Sequence, residues 1–170
     1  KNIKDLALIV SDVPATAAGV FTKNRVVSPG VTWSRRALAK SDSCRAIVVN
    51  SGNANAVVGP KGMKDCDAIT KKISEELSIS QKEVLIASTG VIGVPLPSEK
   101  ILQAAPELVK KLRSTAKNWA DAAEAIMTTD LVSKSDRIQY TFQGKRITLG
   151  GITKGSGMIH PNMATMLGFI

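Results

Sequence analysis

Cysteine, histidine and aromatic residues are all scarce in this chain of 170 residues, and each scarcity removes a class of function. The two cysteines, Cys44 and Cys66, are too few for a disulfide scaffold and lack the paired spacing of a zinc site. The single histidine, His160, cannot assemble a multi-histidine centre, so neither a metal nor a cofactor is expected. Long apolar runs are missing too. The densest, Leu6 to Val10 and Ala46 to Val49, are strand-sized and far short of the roughly 18 residues a membrane span requires, so no membrane partner is expected. There is no charged-then-apolar leader and no Asn-x-Ser/Thr sequon, which predicts a soluble, intracellular protein.

Acidic charge is the remaining deficit: 23 Lys and Arg face 14 Asp and Glu, a formal charge of +9. An excess of this size raises the question of a nucleic-acid partner. The basic residues are scattered as short pairs (Arg35-Arg36, Lys71-Lys72, Lys110-Lys111) with carboxylates nearby, and two Trp, one Tyr and three Phe offer no basic-aromatic platform for bases. No nucleic acid is expected. What the chain does have is 44% hydrophobic residues against 22% charged, the balance of one domain with an aliphatic core.

Apolar runs at Leu6 to Val10 and Thr16 to Phe21, separated by the turn-forming Ser11-Asp12-Val13-Pro14, predict two neighbouring strands. A short helix is expected over Ser34 to Lys40, then a buried strand over Arg45 to Asn50 that empties into the small, polar loop Asn50 to Asn55. Cys66, Ile69, Ile73 and Leu77 form the 3.6-residue stripe of an amphipathic helix from Met63 to Leu77. Val84 to Ala87 reads as a strand that delivers Ser88-Thr89-Gly90, followed by a helix from near Ser98 that Pro106 breaks or restarts. A further helix is expected over Asn118 to Met127 and a hairpin over Arg137 to Leu149. Gly150 to Gly157 reads as a glycine-rich loop. Strands and helices without a regular βαβ rhythm favour a mixed α/β sheet with helices on its outer faces.

No Gly-x-Ser-x-Gly elbow, Walker loop or dinucleotide fingerprint is present, and His160 has no obvious Ser or Cys partner. Two weaker signals remain. Lys154 in Lys154-Gly155-Ser156-Gly157 can present an ammonium and backbone N–H groups to an anion, although an exposed lysine on a flexible turn has the same pattern. Thr89-Gly90, at the end of a buried strand, has the ingredients of an oxyanion site, a hydroxyl donor and an unobstructed N–H, although an ordinary turn would look alike.

Taken together, four segments carry more than either signal alone. Asn50-Ser51-Gly52-Asn53-Ala54-Asn55-Ala56, Ser88-Thr89-Gly90-Val91-Ile92-Gly93, Ala125-Ile126-Met127-Thr128-Thr129-Asp130 and Lys154 to Leu167 resemble, in this order, the ornithine acetyltransferases of arginine biosynthesis, also called glutamate N-acetyltransferases. Gly19 to Thr22 and Asn24-Arg25-Val26 match the early part of the same pattern, while His160 stands where many members have a small residue.

The resemblance implies a layered αββα sandwich of two sheets between helices, and a self-cleaving enzyme. Its peptide bond Ala164-Thr165 would break to leave Thr165 at the head of a second subunit, so that the chain is one domain spanning most of the first (alpha) subunit, 1–164, and the first residues, 165–170, of the second (beta). The chemistry has its own logic, because a threonine hydroxyl needs a base and a freed α-amine on the same residue, with a reference pKa near ~8, supplies one. By resemblance, Thr165 is the nucleophile that carries acetyl from N-acetylornithine to glutamate and releases ornithine. Thr89 and Gly90 are the oxyanion donors, and Thr128, Lys154 and Thr165 contact substrate, with Thr129 the alternative to Thr128. A cationic Lys154 suits the α-carboxylate that both substrates share. The asparagine-rich loop after Asn50 either lines the site or is a small-residue turn. The partner implied is the chain's own second subunit in a heterotetramer of two alpha and two beta chains, in the cytoplasm or, in a eukaryote, the mitochondrial matrix. Whether acetyl-CoA is a second donor stays open, as does a self-processing aminopeptidase or amidase that uses the same threonine with water as acceptor.

Overall fold

Strands β1 (Leu6–Thr16), β2 (Ser43–Asn50) and β3 (Val84–Ser88) form one sheet in that order, β1 antiparallel and β3 parallel to β2, in a computed structural model that describes residues 4–158, 163 and 166–170. The register explains why these runs are apolar on both sides. Leu8, Val48 and Ile86 align on one face, Ala7, Val49 and Ala87 on the other, and each face has its own core.

The first face is covered by α1 (Pro29–Lys40), α2 (Lys61–Leu77) and α3 (Ser98–Lys110), with Cys66, Ile69 and Ile73 of α2 and Ile101 and Ala105 of α3 buried against it. Helix α1 also closes the open edge of β3. The Ser34 hydroxyl accepts from Ile86 N (3.0 Å) and donates to Ile86 O (2.8 Å), and Trp33 Nε1 donates to Val84 O (3.2 Å), so side chains satisfy the groups an edge strand would leave bare.

The second face shares a core with α4 (Ala116–Ala125) and with an antiparallel sheet in the order β4 (Lys134–Phe142), β5 (Lys145–Lys154), β6 (Leu167–Phe169). Ala7 and Val49 of the first sheet, Ala123, Ala125 and Ile126 at α4, and Ile152 of β5 are all buried in this core. Among the described residues no helix is long and apolar enough to cross a membrane, and no His, Cys, Asp and Glu cluster could hold a metal ion.

Four expectations need correction. Ser11 to Pro14 do leave the ladder, but as a bulge between Val10 and Ala15 within one continuous strand, because Arg45 holds the displaced carbonyls of Ser11 (2.8 Å) and Asp12 (3.0 Å). There is accordingly no second strand over Thr16 to Phe21. Helix α1 starts at Pro29, not Ser34, with the Ser28 hydroxyl accepting from Val31 N (3.4 Å), a cap-and-proline start. Pro106 sits inside an unbroken α3, whose burial of Ile101 and Ala105 holds the helix across the missing N–H. Gly150 to Lys154 continue β5 rather than opening a loop: a Cβ on Gly151 would approach Phe169 O to 3.4 Å, so glycine lets β6 pack close.

Because Ile86 is buried in the core that carries the chain towards Thr89, Ile86→Ala should destabilise the fold by about 2–5 kcal/mol. A urea titration should show a lower midpoint with an unchanged slope.

Candidate active site

The parallel pair β2 and β3 ends in register, Asn50 opposite Ser88, so their two following loops leave from the same edge of the sheet. These loops lock together. Thr89 N donates to Asn50 O (3.0 Å), Val91 N to Gly52 O (3.2 Å), Ala54 N to Val91 O (2.9 Å) and Gly93 N to Ala56 O (2.8 Å). The asparagine side chains complete the scaffold: Asn50 Nδ2 donates to Asn53 O (2.8 Å), Asn53 Nδ2 to Val94 O (3.0 Å) and the fully buried Asn55 to Gly62 O (3.0 Å). These amides hold the loop and the segment after β3 in one frame.

Gly90 is a glycine for two separate reasons. Its φ of 134° is a conformation that side-chain-bearing residues rarely adopt, and a Cβ there would lie 2.2 Å from the Gly52 carbonyl carbon and 2.5 Å from Asn53 N. The N–H of Gly90 makes no hydrogen bond among the described residues, although its neighbours on both sides do.

Thr89 is 2% exposed, and its Oγ1 lies 3.2 Å from Nζ of Lys154, the last residue of β5 and itself 1% exposed. The direction of this bond is fixed, because an ammonium only donates. The Thr89 oxygen accepts, and the hydroxyl proton is left to donate elsewhere. An ammonium that donates to a hydroxyl oxygen polarises that hydroxyl and strengthens it as a donor, so Thr89 O–H is a better donor than an isolated threonine. Thus the structure brings Lys154 to the Thr89-Gly90 pair, although Thr89 is 65 positions distant in the sequence.

Asp130, a carboxylate to which the resemblance assigns no role, holds the residue that follows Lys154. Asp130 Oδ1 accepts from Gly155 N (2.8 Å), immediately after Lys154, and from Lys134 Nζ (2.5 Å). Its side chain is 3% exposed, and Oδ2 is buried without a partner among the described residues. Burial opposes the charge on Asp130, but the bonds from Lys134 and Gly155 and the fields of Lys134 and Lys154 outweigh it and hold the carboxyl below its usual range. For Lys154 burial lowers the pKa below the ordinary lysine value, Asp130 opposes that shift and Lys134 adds to it. The one signal that could have exposed Asp130 was an acid inside a motif otherwise read for its threonines.

Thr128 is exposed and makes no hydrogen bond among the described residues, so its proposed contact would have to be with a ligand. Thr129 packs on the backbone of Gly157, where an added Cβ would lie 3.1 Å from its Oγ1. Ala164, Thr165 and His160 lie outside the described residues.

The ArgJ family model matches residues 1–170. The arginine biosynthesis bifunctional protein ArgJ of Caldanaerobacter subterraneus subsp. tengcongensis is 50% identical over 170 residues, covering 100% of this chain and 41% of that protein. The chain thus spans about two fifths of the length of the curated relatives it matches. Two crystal structures share the fold. That of arginine biosynthesis bifunctional protein ArgJ from Bacillus halodurans superposes with a TM-score of 0.89 at 40% identity, covering 94% of this chain and 83% of that one. That of ornithine acetyltransferase from Mycobacterium tuberculosis, complexed with ornithine, gives 0.87 at 37% identity, covering 94% and 84%.

The two reasons for Gly90 are separable by experiment. Gly93 also has a positive φ, 81°, but open space where a Cβ would be. Gly93→Ala should cost about 1 kcal/mol from backbone strain, and Gly90→Ala about 3 kcal/mol or more because a clash with backbone is added, both read from chemical denaturation.

Proposed function

The chain belongs to the ArgJ family, and from that premise we propose that it is the first-subunit part, 1–164, with the opening residues 165–170 of the second, of a self-cleaving acetyltransferase of arginine biosynthesis. The observation that carries this reading is the meeting of Thr89, Gly90 and Lys154 at one point, a polarised donor pair backed by a buried cation. A further support is topological: β6 begins at Leu167, two positions after Thr165 in the sequence, and Leu167 pairs with Lys154.

In the precursor the Thr165 hydroxyl attacks the Ala164 carbonyl, the peptide C–N bond breaks, and the acyl group moves from nitrogen to oxygen. Water hydrolyses that ester, leaving a carboxylate on Ala164 and a free α-amine on Thr165. In turnover the α-amine takes the hydroxyl proton as Thr165 Oγ attacks the acetyl carbonyl of N-acetylornithine. The tetrahedral oxyanion is held by Thr89 O–H and Gly90 N–H. It collapses with proton return to the leaving amine, giving ornithine and an acetyl-threonine ester. The amine of glutamate then attacks that ester and leaves as N-acetylglutamate. Lys154 sustains the oxyanion pair from behind, its positive field also favouring the α-carboxylate common to both substrates, and Thr128 faces the bound substrate. The second subunit completes the site, in a heterotetramer of two alpha and two beta chains in the cytoplasm. The same acyl-threonine is reachable from acetyl-CoA, with the CoA thiol as leaving group.

The test uses the full-length protein. Mass and N-terminal sequencing should find a new terminus Thr165-Met166-Leu167, and acetyl should pass from N-acetylornithine to glutamate, with acetyl-CoA assayed as a second donor. Thr165→Ala should abolish cleavage and transfer together, and Thr89→Ala should slow transfer by about 10²–10³. Release of acetate without acetylglutamate would instead identify an amidase, and full activity in Thr165→Ala would remove the nucleophile.

A further inference from the structure

Asp130 places a carboxylate at the end of the strand that carries Lys154. It follows α4 in the chain and reaches both β4, through Lys134, and the turn after β5, through Gly155 N. Glycine at 155 permits this approach, since a Cβ there would lie 3.2 Å from Asp130 Oδ1. Both of these bonds fall on Oδ1, so the buried Oδ2 carries charge that no donor among the described residues answers. Lys154, itself buried, immediately precedes the Gly155 N–H that Asp130 holds, so the carboxylate and the ammonium belong to the same turn.

We propose that Asp130 is a positioning residue that acts through Lys154: bonded to the N–H that follows Lys154, its carboxylate fixes the Lys154–Gly155 junction and places a negative charge beside the ammonium that donates to Thr89. The inference rests on the acetyltransferase reading for its catalytic meaning, but its electrostatic content is independent of it. Lys134 is the second half of the device. It shares the carboxylate and repels Lys154, so the two charges flanking Lys154 push its protonation in opposite directions. Among the described residues, the other charges on α4, β4 and β5 are engaged or turned to solvent. Asp121 and Glu124 of α4 pair with Lys4, Asp136 of β4 accepts from Arg137 N, Arg137 is exposed, and Lys145 and Arg146 occupy the far end of the β4–β5 hairpin.

This opposition makes the test signed. In full-length protein carrying carbon-13-labelled lysine, the Lys154 ε-carbon resonance, assigned by its loss in Lys154→Met, is followed by NMR against pH. Asp130→Asn, which keeps an oxygen for Gly155 N–H, should move the titration to lower pH. Lys134→Met, at a lysine whose side chain is 45% exposed and whose loss threatens the fold least, should move it to higher pH. Asp130→Glu, which restores the charge, should return it towards the unmodified position. The alkaline limb of kcat should move in the same directions, with KM changing less. Titrations that stay in place in both variants, or move the same way, overturn the role of Asp130. Opposite shifts in the titration together with no acetyl transfer by the unmodified protein would overturn the functional reading and not the electrostatic one.

Discussion

A lysine ammonium buried between two sheets is the constraint on which the rest of this structure turns. Lys154 ends a strand of the second sheet and Thr89 follows the last strand of the first, so the bond between them spans the two layers. Burying a cation carries a desolvation penalty of several kcal/mol, and it is tolerated only where partners answer the charge. Here a hydroxyl oxygen and the field of a carboxylate do so. Thr89 must then accept rather than donate towards Lys154, which is what leaves its proton free. On the proposed reading the chemistry follows from that single direction: a hydroxyl already drawn on by a cation is a better donor to an oxyanion than one facing water.

Thr89 and Gly90 are held in place by the exit of two parallel strands in register. Parallel strands place successive loops at the same sheet edge, and here those loops are bonded to each other by four backbone hydrogen bonds and by asparagine amides. The contact is so close that only glycine fits at position 90, which also removes any side chain that would cover its N–H. One residue therefore serves packing and exposure of a donor at once. Ser51 extends the frame by donating to Ala125 O (2.7 Å), so the end of α4, from which Thr128 and Asp130 emerge, is tied to the same loop.

Parts of this were legible in the sequence where the physics is local. The strands around Val48 and Ile86 and the stripe Cys66, Ile69, Ile73 show in one dimension because their periodicity is that of the element itself. The Asn50 and Ser88 loops were also placed correctly. Other features depend on partners distant in the chain. Gly150 and Gly151 look like a loop until β6 is seen against them, and Ser11 to Pro14 look like a hairpin turn until Arg45 is seen holding their carbonyls. The pairing of Lys154 with Thr89 crosses 65 positions and that of Asp130 with Gly155 crosses 25, separations at which no pattern of residue types signals contact. The resemblance named Lys154 and Thr89 as separate site residues; that one acts on the other is a property of the fold.

The distance between Lys154 and Thr89 is set by how closely the two layers pack, and the core between them is built to pack closely. Its buried members include Ala7, Ala123 and Ala125, with Val49, Ile126 and Ile152 filling the remainder. Small side chains allow α4 to sit low between β1 and β5, and a larger one would force the layers apart. A hydrogen bond at 3.2 Å has little slack before it is lost, so an ångström of separation would break the bond between Lys154 and Thr89 and leave the hydroxyl unpolarised. The same core that stabilises the fold sets the geometry of the donors, and neither can be changed without the other.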